Sequence, residues 1–100
     1  MVQNIEVTKG TERMFFIDGN DVKLIIRTTV NVLSDGEVMA TKEIENYVWY
    51  YIHSKDENLE DVVMDLEKNH VNEVEDYCTK LSRVIGYLVN KGYYLLSNKD

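Results

Sequence analysis

Nucleophilic catalysis needs an activated nucleophile with a base in reach, and this chain offers one thiol, Cys78, and two imidazoles, His53 and His70. Cys78 falls inside an apolar helical stripe between Tyr77 and Thr79, the setting of a small core residue rather than a reactive thiolate. His53 and His70 each close a helical pattern, where an imidazole complements the C-terminal end of the helix dipole. Two separated histidines and one cysteine do not have zinc-ligand spacing. The acid pairs Glu60-Asp61 and Glu75-Asp76 sit on polar helix faces, which solvent ordinarily covers. Asp18-Gly19-Asn20-Asp21 and Asp35-Gly36-Glu37 lack the alternating ligands and closing Glu of a calcium loop, and read as turns. Gly10, Gly19, Gly36, Gly86 and Gly92 form no phosphate cradle. The expectation is a chain with no catalytic residues, no metal and no cofactor.

The elements that position these residues change character once, near Ala40. Before it, Met14-Phe15-Phe16-Ile17, the turn Asp18-Gly19-Asn20-Asp21 and Val22-Lys23-Leu24-Ile25-Ile26-Arg27 predict a hairpin. Val30–Leu33, Ser34-Asp35-Gly36 and Glu37–Ala40 predict a second one. Residues 12–40 should therefore form an antiparallel sheet of three or four strands, with residues 1–11 either frayed or an extra edge strand. Helical spacing takes over in residues 41–96. Thr41 is the expected N-cap of a first helix carrying Ile44, Tyr47, Val48, Tyr51 and Ile52 on one face. Leu59, Val62, Val63 and Leu66 predict a second helix. Val74, Tyr77, Cys78, Leu81, Val84, Ile85, Leu88 and Val89 predict a third, from about Asn72 to Lys91 and ended by Gly92. Gly86 lies inside it, where glycine costs about 1 kcal/mol relative to alanine, and marks a close approach or a tolerated weak spot. The fold class expected is α+β and winged-helix-like, a single domain with an N-terminal antiparallel sheet packed on a C-terminal three-helix bundle.

Composition narrows the function classes. Apolar residues make up 44% of the chain, enough to build a core, and no apolar run is long enough to span a bilayer. The N-terminus lacks a basic-then-apolar signal pattern and the single cysteine cannot form an internal disulfide, so the expected compartment is the cytoplasm. Eleven basic residues against eighteen acidic ones leave a formal charge of −7 with no basic cluster. Nucleic-acid affinity comes largely from Lys and Arg on phosphates, so nucleic acid is not an expected partner.

Three blocks then carry a likeness. They are Thr41-Lys42-Glu43-Ile44-Glu45-Asn46-Tyr47-Val48-Trp49, Asn58-Leu59-Glu60-Asp61-Val62-Val63-Met64-Asp65-Leu66, and Val71-Asn72-Glu73-Val74-Glu75-Asp76 running on to Leu81, Val84-Ile85, Leu88 and Gly92-Tyr93. In this order the chain resembles the PqqD-like family, the peptide-recognition domains of ribosomally made, modified peptide pathways. The resemblance implies a three-stranded sheet on three helices that binds the leader of a precursor peptide as an added strand and presents it to a maturation enzyme, such as a radical S-adenosylmethionine protein. It implies an edge at Glu37, Val38, Met39 and Ala40, and a pocket wall of Cys78, Leu81, Ser82, Ile85 and Val89. Strand addition draws affinity from main-chain hydrogen bonds and specificity from side-chain pockets. Two other readings fit the same elements: a winged-helix DNA-binding regulator, and a phage or host protein-interaction domain using the tyrosines of the first helix.

Overall fold

The computed structural model describes residues 3–53 and 58–96. Three long strands, β1 (Ile5–Asp18), β2 (Asp21–Ser34) and β3 (Glu37–Tyr51), are followed by one helix, α1 (Leu59–Asn90). The strands form an antiparallel meander in the order β1-β2-β3.

Both hairpins turn in two residues. Gly19 has φ +62° while Asn20 stays out of the left-handed region, and Asp18 pairs with Asp21. A glycine at the first turn position with this conformation matches the type II′ turn, whose twist suits a tight hairpin. The second turn places Asp35 at φ 52° and Gly36 at φ 84° between the paired Ser34 and Glu37. Two positive φ values mark type I′, for which Asp-Gly is a favoured dipeptide. Between Val32 and Leu33 the β2–β3 register shifts: Leu33 faces Val38 but Val32 faces Ala40, leaving Met39 as the extra residue of a β-bulge.

Two expectations about the C-terminal half are corrected. Residues 41–51 are not a first helix with Thr41 as its cap; they continue β3. The second and third predicted helices are one uninterrupted helix of 32 residues, with no break at residues 68–72. There is accordingly no three-helix bundle, no winged-helix unit and no separate recognition helix among the described residues, and the likeness to the predicted class stops at a sheet followed by helix. Of residues 1–11, left between fraying and an extra edge, 5–11 belong to β1 itself, and 1–2 lie outside the described residues.

The helix has well-formed ends. Asn58 accepts a hydrogen bond from the Glu60 amide at 2.9 Å, and Glu60 and Asp61 place negative charge at the N-terminal turn. At the other end Gly92, at φ +92°, bonds back to Val89, while the Tyr93 amide bonds to the Leu88 carbonyl. This is the Schellman pair of bonds, and a glycine at that position is what the chain supplied. Asn58→Ala should cost about 1 kcal/mol, which thermal denaturation would register as a drop of roughly 4–8 °C in Tm.

Strand pairing assigns the faces of the sheet. Ile26, Thr28, Val30 and Val32 of β2 point to α1, with Val7, Thr11 and Arg13 beside them on β1 and Ile44, Asn46 and Val48 on β3. The centre of the core is Val30, Ile44 and Val74, against which Val7, Tyr77, Cys78 and Leu81 pack. Full burial of a Val or Ile side chain is worth about 1.5–3 kcal/mol, so a core this thin depends on each member. The molecule is long and flat, 61 × 26 × 15 Å. Its other sheet face carries no helix among the described residues. No helix is long and apolar enough to cross a membrane among the described residues.

Candidate functional site

Polar side chains cross the interior under the middle of α1. The Thr11 and Thr28 hydroxyls are 2.9 Å apart, Thr28 Oγ1 is 2.7 Å from His70 Nε2, and His70 Nδ1 is 2.5 Å from Asn46 Oδ1. Asn46 Nδ2 in turn donates to Glu73 at 2.8 Å. Directions follow from the ends of this chain of bonds. The Asn46 amide nitrogen is committed to a carboxylate, so its oxygen must accept, and His70 carries its proton on Nδ1. Nε2 of the neutral ring then accepts from Thr28, which accepts from Thr11. Burial lowers the His70 pKa below its ordinary value; nearby Glu73 opposes this, and Arg13 adds to it. Both ring nitrogens are occupied and neither is offered to a substrate. His70 thus ties α1 to β2 and β3 at one point, and through Thr28 to β1.

A shallow cavity of about 90 Å3 opens beside this network between β1 and α1, with Lys9, Arg13, Glu67 and Glu75 at its rim. Arg13 Nε meets Glu67 at 3.3 Å, so the rim is internally balanced. Among the described residues, no three His, Cys, Asp or Glu side chains gather into a metal-binding group.

The opposite flank is different. β3 pairs with β2 on one side and, among the described residues, with no strand on the other. Between its second half and the first half of α1 lies a cleft of about 320 Å3, lined by Tyr47, Val48, Trp49, Val62, Asp65, Leu66 and Asn69. On the helix-free face of the same stretch, Tyr47, Trp49 and Tyr51 project at alternate positions, more than 40% exposed. The Lys23 ammonium lies 4.3 Å from the centre of the Tyr47 ring and 5.8 Å from that of Trp49. This stretch presents a cleft above the sheet and an aromatic row below it along one edge.

The predicted site residues are distributed otherwise. Glu37, Val38, Met39 and Ala40 do begin β3, around its bulge. Cys78 and Leu81 are partly buried and pack against Val30, Ile44 and Val74. Ile85 is half-buried, while Ser82 and Val89 are exposed. Lys80 is paired with Asp76 at 2.9 Å on the helix surface. Sequence reading missed Tyr47, Trp49, Val62, Leu66 and Asn69 as a set. The available signal was the unbroken aromatic and β-branched run from Tyr47 to Ile52, a composition that favours a strand. Compared with protein-family models, with curated proteins and with solved structures, the chain matches none.

Proposed function

We propose that this chain is a non-catalytic binding module that takes an extended segment of its partner as an added strand along β3. The observation that carries this reading is a long edge strand flanked by a cleft on one face and an aromatic row on the other. An added strand alternates its side chains between two faces. Every second residue of the ligand would enter the cleft against Val62, Leu66 and Asn69, and the residues between would lie beside Tyr47, Trp49 and Tyr51. Main-chain hydrogen bonds supply affinity in this mode, and the two rows supply selection.

This reading keeps the strand-addition mode expected from the sequence and moves the groove from residues 37–40 to the second half of β3. The leader of a ribosomally made precursor peptide, delivered to a maturation enzyme, is the ligand class we put first, because it is the one the sequence resemblance implies.

Trp49 is the single tryptophan, so its fluorescence reports on this edge directly. Titration with a leader peptide should change Trp49 emission saturably and slow amide exchange between Thr41 and Tyr51. Trp49→Ala should weaken binding roughly tenfold or more. Absence of saturable binding, or protection confined to β1 or to the C-terminal half of α1, would overturn the proposal.

A further inference from the structure

We infer that, when no peptide is bound, the β3 edge is held by β3 of a second copy of this chain, in a two-fold dimer with a six-stranded sheet. The inference rests on the strand-addition reading of that edge.

The first argument is area. The chain exposes 7635 Å2, whereas a compact monomer of 11.7 kDa exposes roughly 5,900 Å2. The surplus of roughly 1,700 Å2 is what one subunit of an extensive, permanent dimer gives up on association.

The second is the place of the helix. His70 reaches both Thr28 on β2 and Asn46 on β3, and Val74 packs on both Val30 and Ile44. The axis of α1 therefore runs above the seam between β2 and β3, half a strand spacing from the edge strand. If β3 pairs with its own copy at a spacing of about 4.8 Å, the two helices lie roughly 10 Å apart, the ordinary distance for packed helices. Adjacent strands are rotated by roughly 20–25°, so helices two spacings apart cross at roughly 40–50°, a common packing angle.

The third is the pattern on the flank of α1 that would face the partner. Glu73 is on that flank, since Asn46 of β3 reaches it. Residues seven apart share a helix face, so Leu66, Glu73, Lys80 and Tyr87 form one row. That row is self-complementary at its centre when reversed: Glu73 meets Lys80 of the partner subunit at each of two contacts. Its centre, between residues 73 and 80, stands above Ile44. Asn46 lies level with His70 and Glu73, and two strand residues equal about four to five helix residues. Ile44 is also the midpoint of β3, Glu37–Tyr51. The strand and the helix thus point to one and the same axis, although nothing in the covalent chain requires their centres to coincide.

Two terms oppose this: Lys80 is already held by Asp76 at 2.9 Å, and Glu43 and Glu45 approach each other across the seam on the helix-free face. Each Glu45 already holds Arg27, with Arg27 Nη2 at 2.8 Å, which removes half of that negative charge.

The test is a pair of charge reversals measured by sedimentation, with circular dichroism confirming that each variant folds. Wild type should associate reversibly with concentration. Glu73→Lys and Lys80→Glu should each weaken self-association at least tenfold, because each sets like charges opposite each other at both contacts. An equimolar mixture of the two variants should recover a heterodimer close to wild type, since a positive side chain then meets a negative one at each of the two contacts. A wild type that stays monomeric, or a mixture no better associated than its components, would overturn the dimer. Amide exchange on the same samples separates the two claims. Leader peptide that protects β3 in a persistently monomeric chain overturns the dimer and leaves the peptide reading standing. A dimer recovered by mixing, with neither Trp49 emission nor the dimer's dissociation altered by peptide, supports the dimer and removes the peptide.

Discussion

His70→Ala is expected to cost about 2–4 kcal/mol of stability, lowering Tm by roughly 10–25 °C in a chain of this size. The substitution takes one of two hydrogen-bond partners from the Thr28 hydroxyl, which is 1% exposed and keeps only Thr11, and a lost buried hydrogen bond costs about 0.5–1.5 kcal/mol. It also frees the Asn46 carbonyl oxygen, which counts for less because Asn46 is only half-buried and water can replace the ring. The remainder comes from the space the imidazole vacates under α1. The same residue sets a pH dependence whose sign is determined. Its pKa is lowered in the folded chain, so between that value and the unfolded value of about 6.5 the unfolded chain binds more protons. Stability is then fully present above about pH 6.5 and falls as pH drops through the window below it. Thermal melts between about pH 7.5 and about pH 5.5 should slope downward for wild type and be flatter for His70→Ala, while ordinary carboxylates titrate lower still. A wild-type profile that is level across this window would show that His70 is not held neutral by the fold.

Ile44→Ala is the second large expected effect, about 2–4 kcal/mol. Ile44 is 6% exposed and one of three side chains at the centre of the core. Because α1 meets β3 chiefly there and at Asn46, the cavity loosens two elements together. Hydrogen exchange should accelerate in β3 and in the middle of α1 by a similar factor, whereas the β1–β2 hairpin should respond less. Acceleration confined to β3 would mean that the helix is held mainly by β2.

These two residues also explain what was legible in the sequence. The turns were, because Asp-Gly and Gly-Asn in these contexts leave few alternatives to a two-residue hairpin. The end of α1 was, because Gly92 supplies the left-handed residue that a Schellman closure requires. Residues 44–52 misled because Ile44, Tyr47, Val48, Tyr51 and Ile52 fit a helical stripe while Ile44, Asn46 and Val48 also fit strand alternation. The unbroken run Tyr47-Val48-Trp49-Tyr50-Tyr51-Ile52, aromatic and β-branched throughout, favours the strand. The helix was split in two because His70 was read as closing one helical pattern and Asn72 as opening the next. His70 stands four residues after Leu66 and four before Val74, which is the core-facing position of one continuous stripe. A polar residue satisfied inside the core hides the periodicity it belongs to. The cleft and the aromatic row beside β3 were not legible, because they depend on Tyr47 and Trp49 being in a strand.

The extra residue at Met39 decides the parity of the longest strand. With the Asp35-Gly36 turn held in place and no bulge, Thr28 would face Glu43 instead of Ile44, and Ile26 would face Glu45 instead of Asn46. Two carboxylates would then be directed under the helix, and Ile44 and the ligand of His70 would be turned out to water. Deleting Met39 removes the extra residue and its bulge together and leaves Thr28 opposite Ile44 and Ile26 opposite Asn46, so that deletion should keep the faces of β3, which a one-residue slip of the pairing would exchange.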